Sequence, residues 1–180
     1  MNVFFHVVAD PSPELVNRLG AAALVIDDAV RARIGDADPE ALVALANFAH
    51  GRRIEELRGA LGLSQPGGAH AVSRLERAGL ARRRRDPADR RAVLVELTAH
   101  GRAAARAVHE AREAAIRDSL GTLDAGEQAT LLAVLDDILR RATGSRRDAR
   151  RVCRLCDGDA CGHPAACPVT RRADELEATA

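Results

Sequence analysis

Lysine, tryptophan and tyrosine are absent from this 180-residue chain, and phenylalanine occurs three times. Strand-forming aromatic and β-branched residues are scarce, which excludes a sheet-dominated fold. What replaces them is alanine, at 37 positions, with leucine and arginine, all strong helix formers. Every one of the 27 basic residues is arginine, and 26 acids bring the net charge to +1, an average that hides local segregation. Long apolar runs are also missing. Ala21–Ile26 falls far short of the roughly 20 residues that span a bilayer. Val3–Val8 is too short for a secretory core, and no basic residue precedes Arg18, so the chain reads as cytoplasmic and without a membrane partner. No Gly-rich phosphate loop, paired histidines on one helix or nucleophile–base motif occurs, so it does not read as an enzyme. Cysteine is absent before position 153, and then four appear by position 167.

Ser12-Pro13-Glu14 reads as a helix start, with a capping serine, a proline in the first turn and an acid at the positive end of the dipole. Leu15, Leu19, Ala22, Ile26, Val30 and Ile34 then form one apolar stripe. Asp38-Pro39-Glu40 repeats the signal, with Leu42, Leu45, Ala46 and Ala49 as the buried face up to His50-Gly51. A short helix is expected from about Arg53 to Leu61. The turn Leu61-Gly62-Leu63-Ser64 follows, and then a second helix from Gln65 to Ala78 with Ala69, Val72 and Leu75 inward. Gly79-Leu80 is its stop. Between Ala81 and Leu97 the period falls to two. Strands at Ala81–Arg85 and Arg91–Leu97 flank Asp86-Pro87-Ala88-Asp89-Arg90, which predicts a β-hairpin. Thr98 caps an Ala-rich helix to about Leu120. Asp124-Ala125-Gly126-Glu127 has the form of a capping box before a last helix whose face is Leu131, Val134, Leu135, Ile138 and Leu139.

Two short helices around a four-residue turn, followed by a hairpin, make a winged helix-turn-helix. Between Arg52 and Arg91 stand eleven arginines and five acids, a local excess of six positive charges in a nearly neutral chain. Ser64, Gln65, His70, Ser73, Arg74 and Arg77 are the polar residues of the second helix. Gln reads adenine through two hydrogen bonds, and Arg reads guanine or clamps phosphate. Arg82–Arg85, including Arg84 and Arg85, with Arg90 and Arg91, put guanidinium groups on both strands and the turn, as a wing entering a minor groove requires. Gly67-Gly68 marks either close backbone approach or a frayed helix start.

Leu61-Gly62-Leu63-Ser64-Gln65, Arg74-Leu75-Glu76-Arg77-Ala78-Gly79-Leu80, and Asp86-Pro87-Ala88-Asp89-Arg90-Arg91 running into Val95-Glu96-Leu97-Thr98 resemble the MarR family of bacterial regulators over about residues 12–142. The resemblance implies an obligate homodimer built from the first and last two helices, bound to palindromic operators on double-stranded DNA. It also implies release by a small-molecule inducer or by thiol oxidation. Asp89 and Arg91 become the wing pair, with Asp89 orienting Arg91 toward the minor groove. Gly67-Gly68 and His70 depart from the bulkier or more basic residues of many members, so no operator preference transfers.

Cys153, Cys156, Cys161 and Cys167 follow the spacing C-x2-C-x4-C-x5-C. Four thiolates complete a tetrahedral shell for zinc, or ligate an iron–sulfur cluster, or act as a redox-switched thiol group. His163 is an alternative ligand. The segment has too few apolar residues to fold alone, which favours a metal.

The expected architecture is mostly α: a winged helix-turn-helix with a two-stranded wing and long helices that form a dimerisation domain. Residues 12–36 are the N-terminal dimerisation helix, 38–98 the DNA-binding region and 99–142 the C-terminal dimerisation helices. Residues 143–151 read as an Arg-rich linker, 152–170 as the Cys module and 171–180 as a tail. The functional expectation is a dimeric transcriptional regulator that represses by occupying an operator. The alternative is a small iron–sulfur or thiol-redox protein with a helical scaffold, which has no use for an arginine-rich wing.

Overall fold

The structure, a computed structural model, describes residues 10–35, 38–89 and 92–179. Helices α1 (Pro13–Ile34) and α2 (Pro39–Ala44) come first, with one wider π-turn extending α2 over Leu45–Ala49. Strand β1 (Arg52–Arg53), helices α3 (Ile54–Leu61) and α4 (Gln65–Arg77), and strands β2 (Ala81–Arg85) and β3 (Val93–Leu97) form the head. Helices α5 (Ala99–Leu120), α6 (Ala125–Arg141), α7 (Arg146–Val152) and α8 (Pro168–Ala178) complete the chain. The mostly helical winged helix-turn-helix expected from the sequence is the fold observed.

Caps explain most of the boundaries. Ser12, Ser64, Thr98, Asp124 and Ser145 each accept a hydrogen bond from a backbone N–H in the first turn that follows them. Asp124 and Glu127 complete the expected capping box. Replacing Ser64 with Ala removes the acceptor for Gly67 N–H at 3.3 Å, and should cost about 1 kcal/mol of stability. Thermal denaturation checks this, and a loss well below half of that would mean solvent caps α4 as well as Ser64 does.

Asp38 departs from the expected cap. It adopts a left-handed conformation with φ 57° and makes no capping bond. Its carboxylate instead accepts Nε and Nη2 of Arg74, at 2.8 and 2.5 Å. A two-pronged guanidinium is a stronger donor than one backbone N–H, and it outcompetes the cap.

The sheet is antiparallel in the order β1–β3–β2, with Ala81 opposite Leu97, Arg85 opposite Val93 and Arg52 opposite Val95. Strand β1 was not expected. Both its side chains are exposed, so burial periodicity carries no trace of it, and its pairing begins where Gly51 N–H reaches Val95 O at 2.8 Å. The central strand is observed from Val93, and Arg91, its expected start, lies outside the described residues. Leu42, Leu45, Leu57, Val72, Leu75, Val95 and Leu97 form the core of the head. In α4, Ala71 and Gly68 are buried, whereas Ala69, expected inward, is half-buried.

Two expectations for the C-terminal part are corrected. Helix 146–152 takes up most of the expected 143–151 linker, and helix 168–178 begins inside the expected Cys module and runs through most of the expected tail. Arg146 bridges Asp174 and Glu177 on α8, and Arg140 on α6 pairs with Glu175 at 3.2 Å. Ala149, Cys167, Val169 and Ala173 make a second small core, packed against Leu139 and Val152. An Arg-rich run looks solvated in sequence because its acidic partners lie about thirty residues away.

The expected apolar face of α6 is largely uncovered by the described residues: Leu131 is half-buried and Leu139 packs on the second small core, but α6 has no buried residue. Leu132, Val134, Leu135 and Ile138 are exposed, as are Leu15, Val16, Leu19, Leu24 and Val25 of α1.

Candidate nucleic-acid interface

Helix α3 ends at Gly62, and Leu63 N–H returns to Arg58 O at 3.0 Å, so the chain reverses within the few residues before the Ser64 cap. Burial of Gly68, Ala71, Val72 and Leu75 turns Gln65, His70, Arg74 and Arg77 outward, with Ser64 exposed at the cap and Ser73 half-buried. Gly68 is a packing residue. A Cβ built there would stand 3.2 Å from Arg58 Cβ, so its small size sets how closely α3 and α4 approach. At the far end of α4, Gly79 N–H bonds Glu76 O and Leu80 N–H bonds Leu75 O, both at 2.9 Å, which is the expected stop.

The wing is joined to α4 by its own arginines. Arg83 Nη1 donates to Glu76 Oε2 at 2.5 Å, its backbone N–H to Glu76 Oε1 at 3.0 Å, and Nη2 to Ser73 Oγ at 3.3 Å. Arg82 and Arg84 share the other face of the strand and bracket Glu96, at 3.0 and 2.6 Å. Hydrogen bonds from Arg84 and then Arg82 hold the Glu96 carboxyl below its ordinary range. Arg85 makes no ion pair among the described residues, and Arg77 Nε only reaches Ser73 O at 3.4 Å. Asp89 accepts Arg53 Nη2 at 3.0 Å, which ties the wing tip to β1. Arg90 and Arg91 lie outside the described residues. Of the residues singled out from sequence, Gln65, His70, Arg77 and Arg85 are therefore exposed and lightly engaged, whereas Arg74, Arg84 and Ser73 are held by neighbours. Arg53 was missed. Its only signal was a pair of arginines after a glycine, and its role needed β1.

The four cysteines run from the end of α7 to the start of α8. All four are free thiols, and all line one cavity of about 300 Å³ together with Phe48 and His163. Cys167 is buried, Cys153 and Cys156 are half-buried, and Cys161 is exposed. Hydrogen bonding from Cys153 pulls the Cys156 thiol down to about 6, with Arg112 and Arg154 assisting against the opposing effect of burial. The same hydrogen bond, then burial, pushes Cys153 up, and burial pushes Cys161 up. Among the described residues no three His, Cys, Asp or Glu side chains stand as a ready-made metal shell. His163 Nδ1 is engaged with Thr170 Oγ1 at 2.9 Å. No helix among the described residues is long and apolar enough to cross a membrane.

Residues 34–92 match the model of the MarR family. No curated protein matches the chain. Among solved structures, it is similar to RV1404 from Mycobacterium tuberculosis, at 25% identity and a TM-score of 0.64 over 77% of this chain and 99% of that one. The PcaV transcriptional regulator from Streptomyces coelicolor matches at 27% identity and a TM-score of 0.53 over 73% and 98%. Bordetella bronchiseptica BpsR, whose DNA binding is regulated by 6-hydroxynicotinic acid, matches at 25% and a TM-score of 0.53 over 69% and 98%.

Proposed function

We propose that this protein is a MarR-type transcriptional regulator that binds double-stranded DNA as a homodimer. The observation that carries the reading is a polar, outward-facing α4 with an arginine-rich strand fastened beside it through Arg83, Glu76 and Ser73. Such a unit offers Gln65 and His70 to base edges and Arg77 and Arg85 to phosphates or a minor groove. The uncovered apolar faces of α1 and α6 support a two-fold pair of heads, which calls for a palindromic site. Occupancy of an operator across a promoter represses, and a small-molecule inducer that shifts the two heads relieves it. The protein acts in the cytoplasm and is not an enzyme.

The test uses a duplex selected by the wild-type protein from a random-sequence pool, titrated at several salt concentrations. Arg77→Ala with Arg85→Ala removes two cations per head that make no ion pair among the described residues. Each lost phosphate contact lowers the slope of log K against log salt by about 0.9. The affinity of the variant should therefore fall and its salt slope should flatten, while its melting temperature holds. Unchanged affinity and slope would remove these two arginines, and with them this face, from the DNA interface.

A further inference from the structure

We propose that Cys153, Cys156, Cys161 and Cys167 form a tetrathiolate zinc site, and that filling it holds the helix-turn-helix in its DNA-binding orientation. The second half rests on the DNA-binding reading, and the first does not.

The donor set is the first argument. Four sulfur ligands suit a borderline-soft d10 cation and leave no oxygen donor for a hard one. Cys153 ends α7 and Cys167 begins α8, so one ion would staple the two helices at the loop that joins them. That loop has little else to hold it. Residues 159–166 are exposed, and the nearby core is limited to Ala149, Cys167, Val169 and Ala173 with their few neighbours. A structural metal is the usual remedy for a segment that cannot bury enough apolar surface. The four sulfurs line one cavity but do not stand as a preformed shell among the described residues, so one bound ion would draw them together. Charge also fits, because four thiolates around one Zn²⁺ leave a net −2, and Arg112 and Arg154 act on Cys156 while Arg146 and Arg150 line the cavity.

Three contacts link this loop and the end of α7 that leads into it to the elements behind α4. Asn47 Nδ2 donates to Cys156 O at 2.9 Å, Arg154 pairs with Glu40 at 3.2 Å, and Arg150 pairs with Glu56 at 2.5 Å. Glu40 lies on α2, Asn47 in the π-turn and Glu56 on α3, and these elements pack with α4 in the core of the head. A metal that fixes residues 153–167 therefore fixes the back of the recognition unit, and an empty site releases it.

The experiment measures zinc, iron and sulfide per chain in anaerobically purified full-length protein. Melting temperature and duplex affinity are then read before chelation, after it, and after zinc is returned, with the pool-selected duplex as probe. About one zinc per chain is expected for a closed site of four thiolates. Chelation should lower the melting temperature and weaken duplex binding by about tenfold, the usual scale of coupling between two sites, and zinc should restore both. Cys153→Ser with Cys156→Ser should lose the metal. Asn47→Ala with Glu56→Gln should keep the zinc and lose most of its effect on DNA. Zinc absent as purified and not taken up by the reduced protein overturns the site, as does iron with sulfide at several atoms per chain. Zinc bound with equal duplex affinity in both states overturns the coupling. A zinc-loaded protein that binds no duplex in either state supports the site and sinks the DNA reading together with the coupling.

Discussion

Leu19→Glu combined with Leu135→Glu is expected to convert the protein to a monomer and to lower its affinity for a two-half-site duplex by about 100-fold or more. The reasoning starts from area. On α1, Leu15, Val16, Leu19, Leu24 and Val25 are more than half exposed, and on α6 Leu132, Val134, Leu135 and Ile138 are also exposed. A soluble chain rarely leaves so many large aliphatic side chains on its surface without a partner, and each gains about 1.5–3 kcal/mol when fully buried. A second copy of the chain would cover both helices at once, because two-fold symmetry presents the same faces to each other. It would also set two α4 helices about 34 Å apart, one turn of the duplex. A carboxylate in the middle of that interface loses its water without gaining a partner. Once the dimer is gone, each half-site is bound alone and the advantage of linked binding disappears. Sedimentation velocity reads the first effect and titration of the duplex reads the second. A double variant that stays dimeric, or a monomer that binds as tightly as wild type, would end this account of α1 and α6.

Gly101→Ala is expected to destabilise the fold by about 3 kcal/mol or more. A Cβ built at Gly101 would sit 1.9 Å from the carbonyl oxygen of Leu80, a separation no backbone tolerates. The same oxygen accepts Thr98 N–H at 3.0 Å, and Thr98 Oγ1 donates to Gly79 O at 2.8 Å while it caps Gly101 N–H at 2.9 Å. The first turn of α5 is therefore pressed onto the turn that ends the recognition helix. An added methyl must push them apart and break those bonds together. At roughly 2–4 °C per kcal/mol for a chain of this size, the melting temperature should fall by about 10 °C. Gly59→Ala is the control. Its Cβ meets nothing within 4 Å, and in a helix interior Ala should be neutral or stabilising by up to about 1 kcal/mol. A Gly101→Ala protein that melts with the wild type would mean that the two turns are free to separate.

Gly101 also shows where local pattern stops. In sequence it is an unremarked glycine between His100 and Arg102, and only the return of the chain past Leu80 makes it irreplaceable. Gly79 was legible because its meaning is local: a glycine followed by an apolar residue stops a helix wherever it occurs. Gly67-Gly68 stood between, since the composition marked the pair while the alternatives left open were DNA approach and fraying. The contact of Gly68 with Arg58 adds helix packing as its role.

The same division runs through the candidate sites. The order of the helices up to α6, most of their caps, the tight turn and the arginine hairpin were determined by the sequence alone, because each depends on side chains within about four residues of the backbone they satisfy. The four cysteines were also found there, by clustering. Tertiary structure decided which arginines are spent on Glu76, Glu96, Asp38 and Asp89, that β1 supports the wing, and that 146–152 and 168–178 are helices. It also brought four thiols into one cavity behind the recognition unit. These outcomes depend on charges, backbone edges and sulfurs that meet across tens of residues, and no local periodicity records such pairings.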